Sequence, residues 1–513
     1  MTTLLQTKPP EPLRKENAAP PAPRPLARWS NLLDSDPVRL VATVLLYCFP
    51  ALLFIRAFHV IDPDIWWHLR AGQWVLQHHS LPVTDPFSLD GASRAWVLYS
   101  WIFDVTMAAL FGRFGLMAVA VYEIVVRAAL TIALFHTLRG LLPGFWRAAA
   151  LTAAAIFSMT GVIGPRPGML TVLLAIVLFD ILLSATRTGR TTFLWLLPPL
   201  FALWANWHIQ FVYGLFVLGV FCAEPALDRV FHYQPRRPRA LPAKALWMTL
   251  AGSAAATLLN PYGIRVYSTA LLYAGQTRVY NVISELMSMT FRQPQHYAAL
   301  ALALGAAISI GWRRDLRPLW LVLLAASSVL AFRSVREIWF LAIVAACVIA
   351  DGWQVSPRTR PTVPTISLRR SQALVAVWVV ALLAAACSHY GLSNQSLEVQ
   401  VAGDFPEAAA RYIEMHQLGG PLLNDLSWGG FLMWRLPALP VALDGRTNVY
   451  GEDRILQFSN LWKGKPGWDA NPDLRRSRLV LTPSDAAIAS LLRTSPEFRV
   501  AYQDFQAVVF QRR

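Results

Sequence analysis

The sequence predicts a mainly α fold: a polytopic transmembrane bundle of about 11 spans followed by a small C-terminal α/β domain. Three observations lead there. Of 513 residues, 55% are hydrophobic and only 15% charged, where a soluble chain carries roughly 25% charged residues. Twelve apolar runs, several approaching the ~20 residues a helix needs to cross a bilayer, follow one another from residue 38. Near residue 395 the composition changes to mixed charges, short apolar runs and Gly, Pro and Asp turns. A soluble enzyme, a secreted disulfide scaffold and a disordered chain are excluded. The 20 Trp, 26 Phe and 14 Tyr add the amphipathic rings that suit a membrane interface.

In chain order, residues 1–37 hold prolines at 9, 10, 12, 20, 21, 23 and 25 and read as a disordered cytoplasmic tail. No cleavable signal peptide is expected, so the first apolar run acts as an uncleaved anchor. The membrane domain covers 38–392, with apolar segments at 38–58, 98–112, 115–137, 148–163, 168–185, 192–207, 209–223, 245–260, 296–311, 318–332, 337–353 and 372–389. A first external loop spans 59–97. Residues 395–513 form the soluble extracytoplasmic module, with helical periodicity at 405–417 and apolar runs at 420–423, 440–443, 479–481 and 507–510. Cys48, Cys222, Cys347 and Cys387 all fall in apolar stretches and offer no disulfide framework.

Loop charge sets the topology. Arg139 and Arg147; Arg187 and Arg190; Arg229, Arg236, Arg237, Arg239 and Lys244; Arg313, Arg314 and Arg317; and Arg358, Arg360, Arg369 and Arg370 form five clusters, with Asp228 and Asp315 as the acids among them. Each cluster follows a pair of apolar segments, so the positive-inside rule makes that face cytoplasmic and the C-terminal module extracytoplasmic. This accounts for the net charge of +16 without nucleic acid. The short segment 98–112, which contains Asp104, breaks the alternation and is expected to be interfacial or re-entrant.

The chemistry concentrates on the outer face. The first external loop opens with DPDIWWHLR at 62–70. Asp62 and Asp64 leave the first span at a Pro turn, and Asp85 follows in TDPFS at 84–88. Carboxylates beside lipid suit a general base or a divalent metal, and they equally suit the capping of turns and short helices. Ile65, Trp66, Leu69, Trp74 and Leu76 recur at near-helical spacing, which predicts a helix lying flat on the bilayer. Trp66 and Trp67 there either anchor the interface or stack on sugar, beside His68 and Arg70. Further polar residues stand at outward ends of spans: Arg166 in GPRPG, Asn206 and His208 in WANWH, Asn260 and Tyr262 in NPYG, then Glu285, Arg333 and Arg336. Outward arginines run against the positive-inside bias, and a planar guanidinium binds two phosphate oxygens at once. Structural pairs, Arg336 with Glu337 or Arg333 with Glu285, are the alternative.

His68, His78 and His79 lack an i, i+4 metal pair, and no GxGxxG before a helix, GxxxxGK[ST] or GxSxG occurs. In the C-terminal module, Trp428 in NDLSWGG and Asp444, Arg446 and Tyr450 in LDGRTNVYG combine rings with bidentate polar groups, while Asp444-Gly445 is also a hairpin signal.

Taken together, DPDIWWHL with TDPFS, WANWH, NPYG and the tail WGG…DGR resemble a group of largely uncharacterised bacterial multi-spanning proteins, over nearly the whole chain beyond the tail. These in turn resemble the GT-C superfamily of membrane glycosyltransferases. That resemblance implies a polyprenyl-phosphate-linked sugar as donor and a glycan, lipid or protein as acceptor, at the outer face of the bacterial inner membrane. It implies Asp62 or Asp64 as base or metal ligand, with a divalent cation as an open question. Many GT-C enzymes carry Asp-Glu where this chain has Asp62-Pro63-Asp64. The expected function is therefore sugar transfer. The alternative is a non-catalytic scaffold or lipid-binding component of cell-envelope glycan assembly. The two differ in whether Asp62 or Asp64 and the outward arginines gather at one external place.

Overall fold

The computed structural model describes residues 35–57, 62–234, 241–312, 316–353 and 368–513. Most of the predicted tail, and Arg236, Arg237, Arg239, Arg313, Arg314, Arg358 and Arg360, lie outside these residues. The described chain is mainly helical, with one small sheet near its C-terminus. Five helices are long and apolar enough to cross a membrane: α1 (Asp36–Ala57), α4 (Leu116–Leu141), α6 (Gly168–Thr188), α8 (Phe211–Val230) and the 372–389 part of α14 (Leu368–His389). The other apolar segments form shorter helices, among them α5 (Phe145–Met159) and α12 (Leu319–Arg333). Segment 192–207 contains a 3-10 turn, Thr192–Leu196, before α7 (Leu197–Trp207), because two prolines at its start supply no amide to a continuous helix. Cys48, Cys222 and Cys347 are buried as free thiols.

Helix α2 (Pro63–His78) begins where the sequence says it should. Asp62 caps it by accepting from the Asp64 amide at 2.9 Å, Pro63 occupies the first turn, and His79 ends it in a left-handed conformation. It does not lie flat on the bilayer. Ile65, Trp66, Trp67, His68 and Leu69 are all buried, so its N-terminal half is enclosed all round, as an apolar helix inside protein is. The indole of Trp66 packs against Phe405, Phe431 and Trp434, which replace the lipid expected there. Segment 98–112 is α3 (Trp101–Phe114), 14 residues long, and it packs on α2.

Helices α9 (Ala243–Ala256), α10 (Arg265–Gly275), α11 (Pro294–Trp312) and α13 (Ile338–Gly352) complete the apolar region before α14. In the C-terminal residues, α15 (Asn394–Asp404) starts at a Ser393 capping box, and α16 (Glu407–Met415) matches the helical periodicity seen at 405–417. Four strands, β1 (Leu422–Asn424), β2 (Leu479–Pro483), β3 (Phe498–Gln503) and β4 (Ala507–Arg512), form a sheet in the order β1-β2-β4-β3. The first pair is parallel and the other two are antiparallel. The LDGRTNVYG run is not a hairpin. Asp444 and Gly445 lead into a single helical turn, Thr447–Tyr450, because the Asp444 carboxylate is taken up by buried donors rather than closing a turn.

Residues 62–97 and the C-terminal residues share one core. Val441 bridges Ser88 on one side and Leu422 on the other, so the loop is stitched to β1 by backbone bonds. Helix α17 (Leu426–Arg435) lies against α2 so closely that a Cβ on Gly430 would come within 2.7 Å of the Pro63 carbonyl oxygen.

Candidate active site

Where α2 begins, four segments bring five ionisable side chains together. Arg166 comes from the Pro-bounded turn before α6, Glu285 from the loop after α10, and Arg336 from the turn between α12 and α13. The Arg166 guanidinium bonds Asp62 through Nε and Glu285 through Nη1, and its Nη1 lies 3.4 Å from Asp64 Oδ2. Arg336 Nη2 bonds the other Glu285 oxygen at 2.9 Å. Glu285 thus links the two arginines. The third outward arginine is elsewhere: Arg333 sits over the Tyr280 ring at 4.8 Å. Neither structural pair expected from the sequence forms, since Glu337 accepts from Gln210 Nε2 at 3.1 Å instead.

The two aspartates differ in their commitments. Asp62 is 7% exposed and held by Arg166 and by the α2 amide. Asp64 has the longer contact and is 17% exposed. Burial pushes the Asp64 carboxyl up to about 6; Asp62 and Glu285 add to the rise while Arg166 and Arg336 oppose it. Burial would also raise Glu285, but its two arginines outweigh that and hold it below the ordinary value. The backbone of the C-terminal residues closes over this point, since a Cβ on Gly445 would meet Asp64 Oδ1 at 2.0 Å. A side chain there would push the Asp64 carboxylate out of its place.

His208 is oriented by a chain of two bonds. The Trp204 indole N–H donates to Thr171 Oγ1 at 2.9 Å, and that hydroxyl shares a hydrogen bond with His208 Nδ1, also at 2.9 Å. Burial, with Arg336 and Arg166 nearby, pushes His208 down to about 3, which keeps it neutral. The Tyr99 ring lies 6.0 Å from His208, and its hydroxyl is 3.2 Å from that of Tyr273, which donates to Asn448 Oδ1 at 2.9 Å.

The remaining expected residues occupy other places. Asp85 lies with Arg446 and Asp444. Arg446 donates to Asp85 at 2.8 and 3.3 Å and to Asp444 at 2.8 and 2.7 Å, while Tyr450 donates to Asp444 at 2.6 Å. All three charged side chains are essentially sealed, and Arg446 stacks over Trp96 at 4.6 Å. His68 Nδ1 is 2.5 Å from Asp104 Oδ1, and the Ser100 hydroxyl bonds that carboxyl too. Burial pushes His68 down and Asp104 up, so one proton shared across this bond leaves the pair without net charge.

Asn206 accepts from the Trp101 indole and donates to the Ala202 and Leu259 carbonyls. Asn260 closes its own turn onto the Tyr262 amide, and the Tyr262 hydroxyl accepts from the Leu98 amide. Trp66, Trp67 and Trp428 are buried in the core shared with the C-terminal residues. Arg70 lines a cleft further along α2. Thr171, Tyr99, Tyr273 and Asn448 were missed: a threonine or tyrosine in an apolar run carries no signal by itself, although Asn448 lies inside the quoted LDGRTNVYG run.

For a divalent cation the fit is poor. The Arg166 guanidinium already bonds Asp62 and Glu285 and faces Asp64, and among the described residues no group of three or more His, Cys, Asp or Glu is arranged to hold a metal ion.

No family model matches the sequence, and no curated protein matches it. Solved structures do. The archaeal oligosaccharyltransferase AglB from Archaeoglobus fulgidus, in complex with an inhibitory peptide and a dolichol-phosphate, superposes with a TM-score of 0.50 at 9% identity, over 86% of this chain and 69% of that one. The Archaeoglobus fulgidus oligosaccharyltransferase tethered to an acceptor peptide gives 0.48 at 8% identity over the same shares. At such identity the likeness is one of fold. The apolar helices and the AglB superposition together give a multi-pass membrane protein with a fold similar to that of this oligosaccharyltransferase.

Proposed function

We propose that the protein is a membrane glycosyltransferase that moves a sugar from a polyprenyl-phosphate donor to an extracytoplasmic acceptor. The observation that carries this is the gathering of Asp62, Asp64, Glu285, Arg166 and Arg336 from four separate segments, on a fold similar to that of a protein solved with a dolichol-phosphate. A scaffold has no need to bring these groups to one point. The protein then lies in the bacterial inner membrane with its N-terminus cytoplasmic. Residues 395–513 form the extracytoplasmic domain, and the acceptor is a glycan, lipid or protein.

In this mechanism Asp64 is the base. Its raised pKa and longer contact with Arg166 leave it able to take a proton near neutrality. The acceptor hydroxyl oxygen attacks the anomeric carbon as its proton passes to Asp64. The bond from that carbon to the phosphate oxygen breaks, inverting the centre, and polyprenyl phosphate departs. Arg336, 37% exposed and paired through Nη2 with Glu285, stabilises the charge on the leaving phosphate. Arg166 and Asp62 hold Asp64 in place. The Asp85–Arg446–Asp444 cluster acts as a clamp beneath the site rather than in the chemistry.

The test is a transfer assay with purified protein and radiolabelled polyprenyl-phosphate sugars in membrane lipid extract. Asp64→Asn should lower the rate by about 10²–10⁴-fold with the melting curve unchanged, while Asp85→Asn should lower thermal stability. Transfer that survives in Asp64→Asn would sink the assignment of the base. No turnover with any donor would favour the scaffold.

A further inference from the structure

Further along α2 from the ion cluster lies a cleft of about 240 Å³, lined by Arg70, Trp74 and His78 of α2, by Phe87, and by Met433 and Leu439 with the prolines around them. Arg70, Trp74 and His78 are spaced four apart, so they form one stripe along the helix. The Trp74 and His78 rings, stacked on each other at 4.2 Å and 12°, form the aromatic wall of the cleft. Opposite stands a wall of prolines and Leu439, which has few groups that could pair with a charge.

Arg70 is the anomaly in this cleft. Its guanidinium lies over the Phe87 ring at 5.6 Å, but its Nε is buried without a hydrogen-bond partner, and no carboxylate pairs with it among the described residues. The neighbouring cation Arg446, 5.5 Å from the same Phe87 ring, is fully matched by Asp85 and Asp444. A half-buried guanidinium that lines a cleft and has no carboxylate beside it is suited to an anionic ligand.

We propose that this cleft binds an acidic saccharide unit, with its carboxylate on Arg70 and its ring against the Trp74–His78 wall. The volume fits about one ring, below the roughly 300 Å³ at which larger ligand pockets begin, and it is too short to sheath a lipid chain. At ~1.5 Å of rise per residue, Arg70 lies roughly 9 Å along the helix from Asp64, within reach of a glycan extending from the reaction centre. The proposal rests on the transferase assignment only in taking the ligand to be part of the acceptor.

Binding can be read without turnover, so the two fail separately. The full chain, in nanodiscs of zwitterionic lipid, would be titrated with a short oligogalacturonide and with its uncharged methyl ester. The acid should bind about 10-fold tighter than the ester, as expected for a charge-assisted pair. Arg70→Gln should abolish that difference, Arg70→Lys should keep part of it, Trp74→Ala should weaken both ligands, and Arg336→Gln should leave both unchanged. Melting curves establish that each variant is folded, and Arg70→Lys carries the test if Arg70→Gln is not. Equal binding of acid and ester would overturn the proposal, as would loss of binding in Arg336→Gln. So would an Arg70→Gln effect confined to association with phosphatidylglycerol vesicles, which would make the cleft a headgroup site.

Discussion

Replacing Arg446 with methionine isolates the clamp that joins the first external loop to the C-terminal residues. In the parent, one guanidinium 1% exposed satisfies two carboxylates that are 0% exposed, Asp85 and Asp444, through contacts of 2.7–2.8 Å. Methionine has similar reach and keeps the apolar packing against Trp96, but it leaves two buried anions facing each other. Breaking a buried pair in this way costs about 3–5 kcal/mol, which at roughly 1.4 kcal/mol per tenfold raises the open population by about two to four orders of magnitude. Limited proteolysis in detergent micelles, following release of a C-terminal fragment, reads that population, and tryptophan fluorescence reads the melt. Removing all three charges together, with Asp85→Asn, Arg446→Met and Asp444→Asn, should restore much of the loss, because no unpaired charge remains.

The effect also has a pH signature. Burial would raise Asp85, but the charge and hydrogen bonds of Arg446, the Ser88 hydroxyl and the Phe87 amide hold it below the ordinary value. Its contribution to stability is therefore complete above the usual carboxylate pKa and is lost as pH falls through the lowered value. The gap between parent and Arg446→Met should shrink as pH falls, both because Asp85 of the parent loses its contribution and because the unpaired carboxylates of the variant take up protons. An Arg446→Met protein that melts with the parent and resists protease equally would refute the clamp.

Two other perturbations follow from the same geometry. The rate of transfer should fall as pH drops through about 6, the value at which Asp64 is protonated; Arg336→Gln removes a charge that lowers this pKa and should move the acid limb up, whereas Glu285→Gln should move it down. A limb unmoved by either substitution in a pH–rate profile would show that Asp64 is not the titrating base. Gly430→Val places a side chain where even a Cβ would sit 2.7 Å from the Pro63 carbonyl, so α2 and α17 must separate; overpacking of this kind costs about 1–3 kcal/mol, visible as a lower melting temperature.

How far the sequence carries this protein can be argued residue by residue. The apolar runs, the start of α2 at Asp62 and Pro63, and the helix at 407–415 were legible, because each depends on local properties: hydropathy, capping chemistry and periodicity. The candidate cluster was legible as a set of unusual residues, since an arginine or acid at the outer end of an apolar run stands out wherever it is. Its membership was not. Arg166 and Arg333 look alike in the sequence, yet one bonds Asp62 and Glu285 while the other stacks on Tyr280.

Composition alone determined that this chain belongs in a membrane, because 15% charged residues cannot cover a protein of this size with polar surface. Tertiary structure decided which acid could be a base. Asp62, Asp64 and Asp85 are the same residue in the same loop, and only long-range partners separate them: Arg166 beside two of them, Arg446 sealed against the third. It also decided that Trp66 faces protein rather than lipid, since the apolar stripe of α2 is covered by residues more than 330 positions further along the chain, which no local pattern encodes.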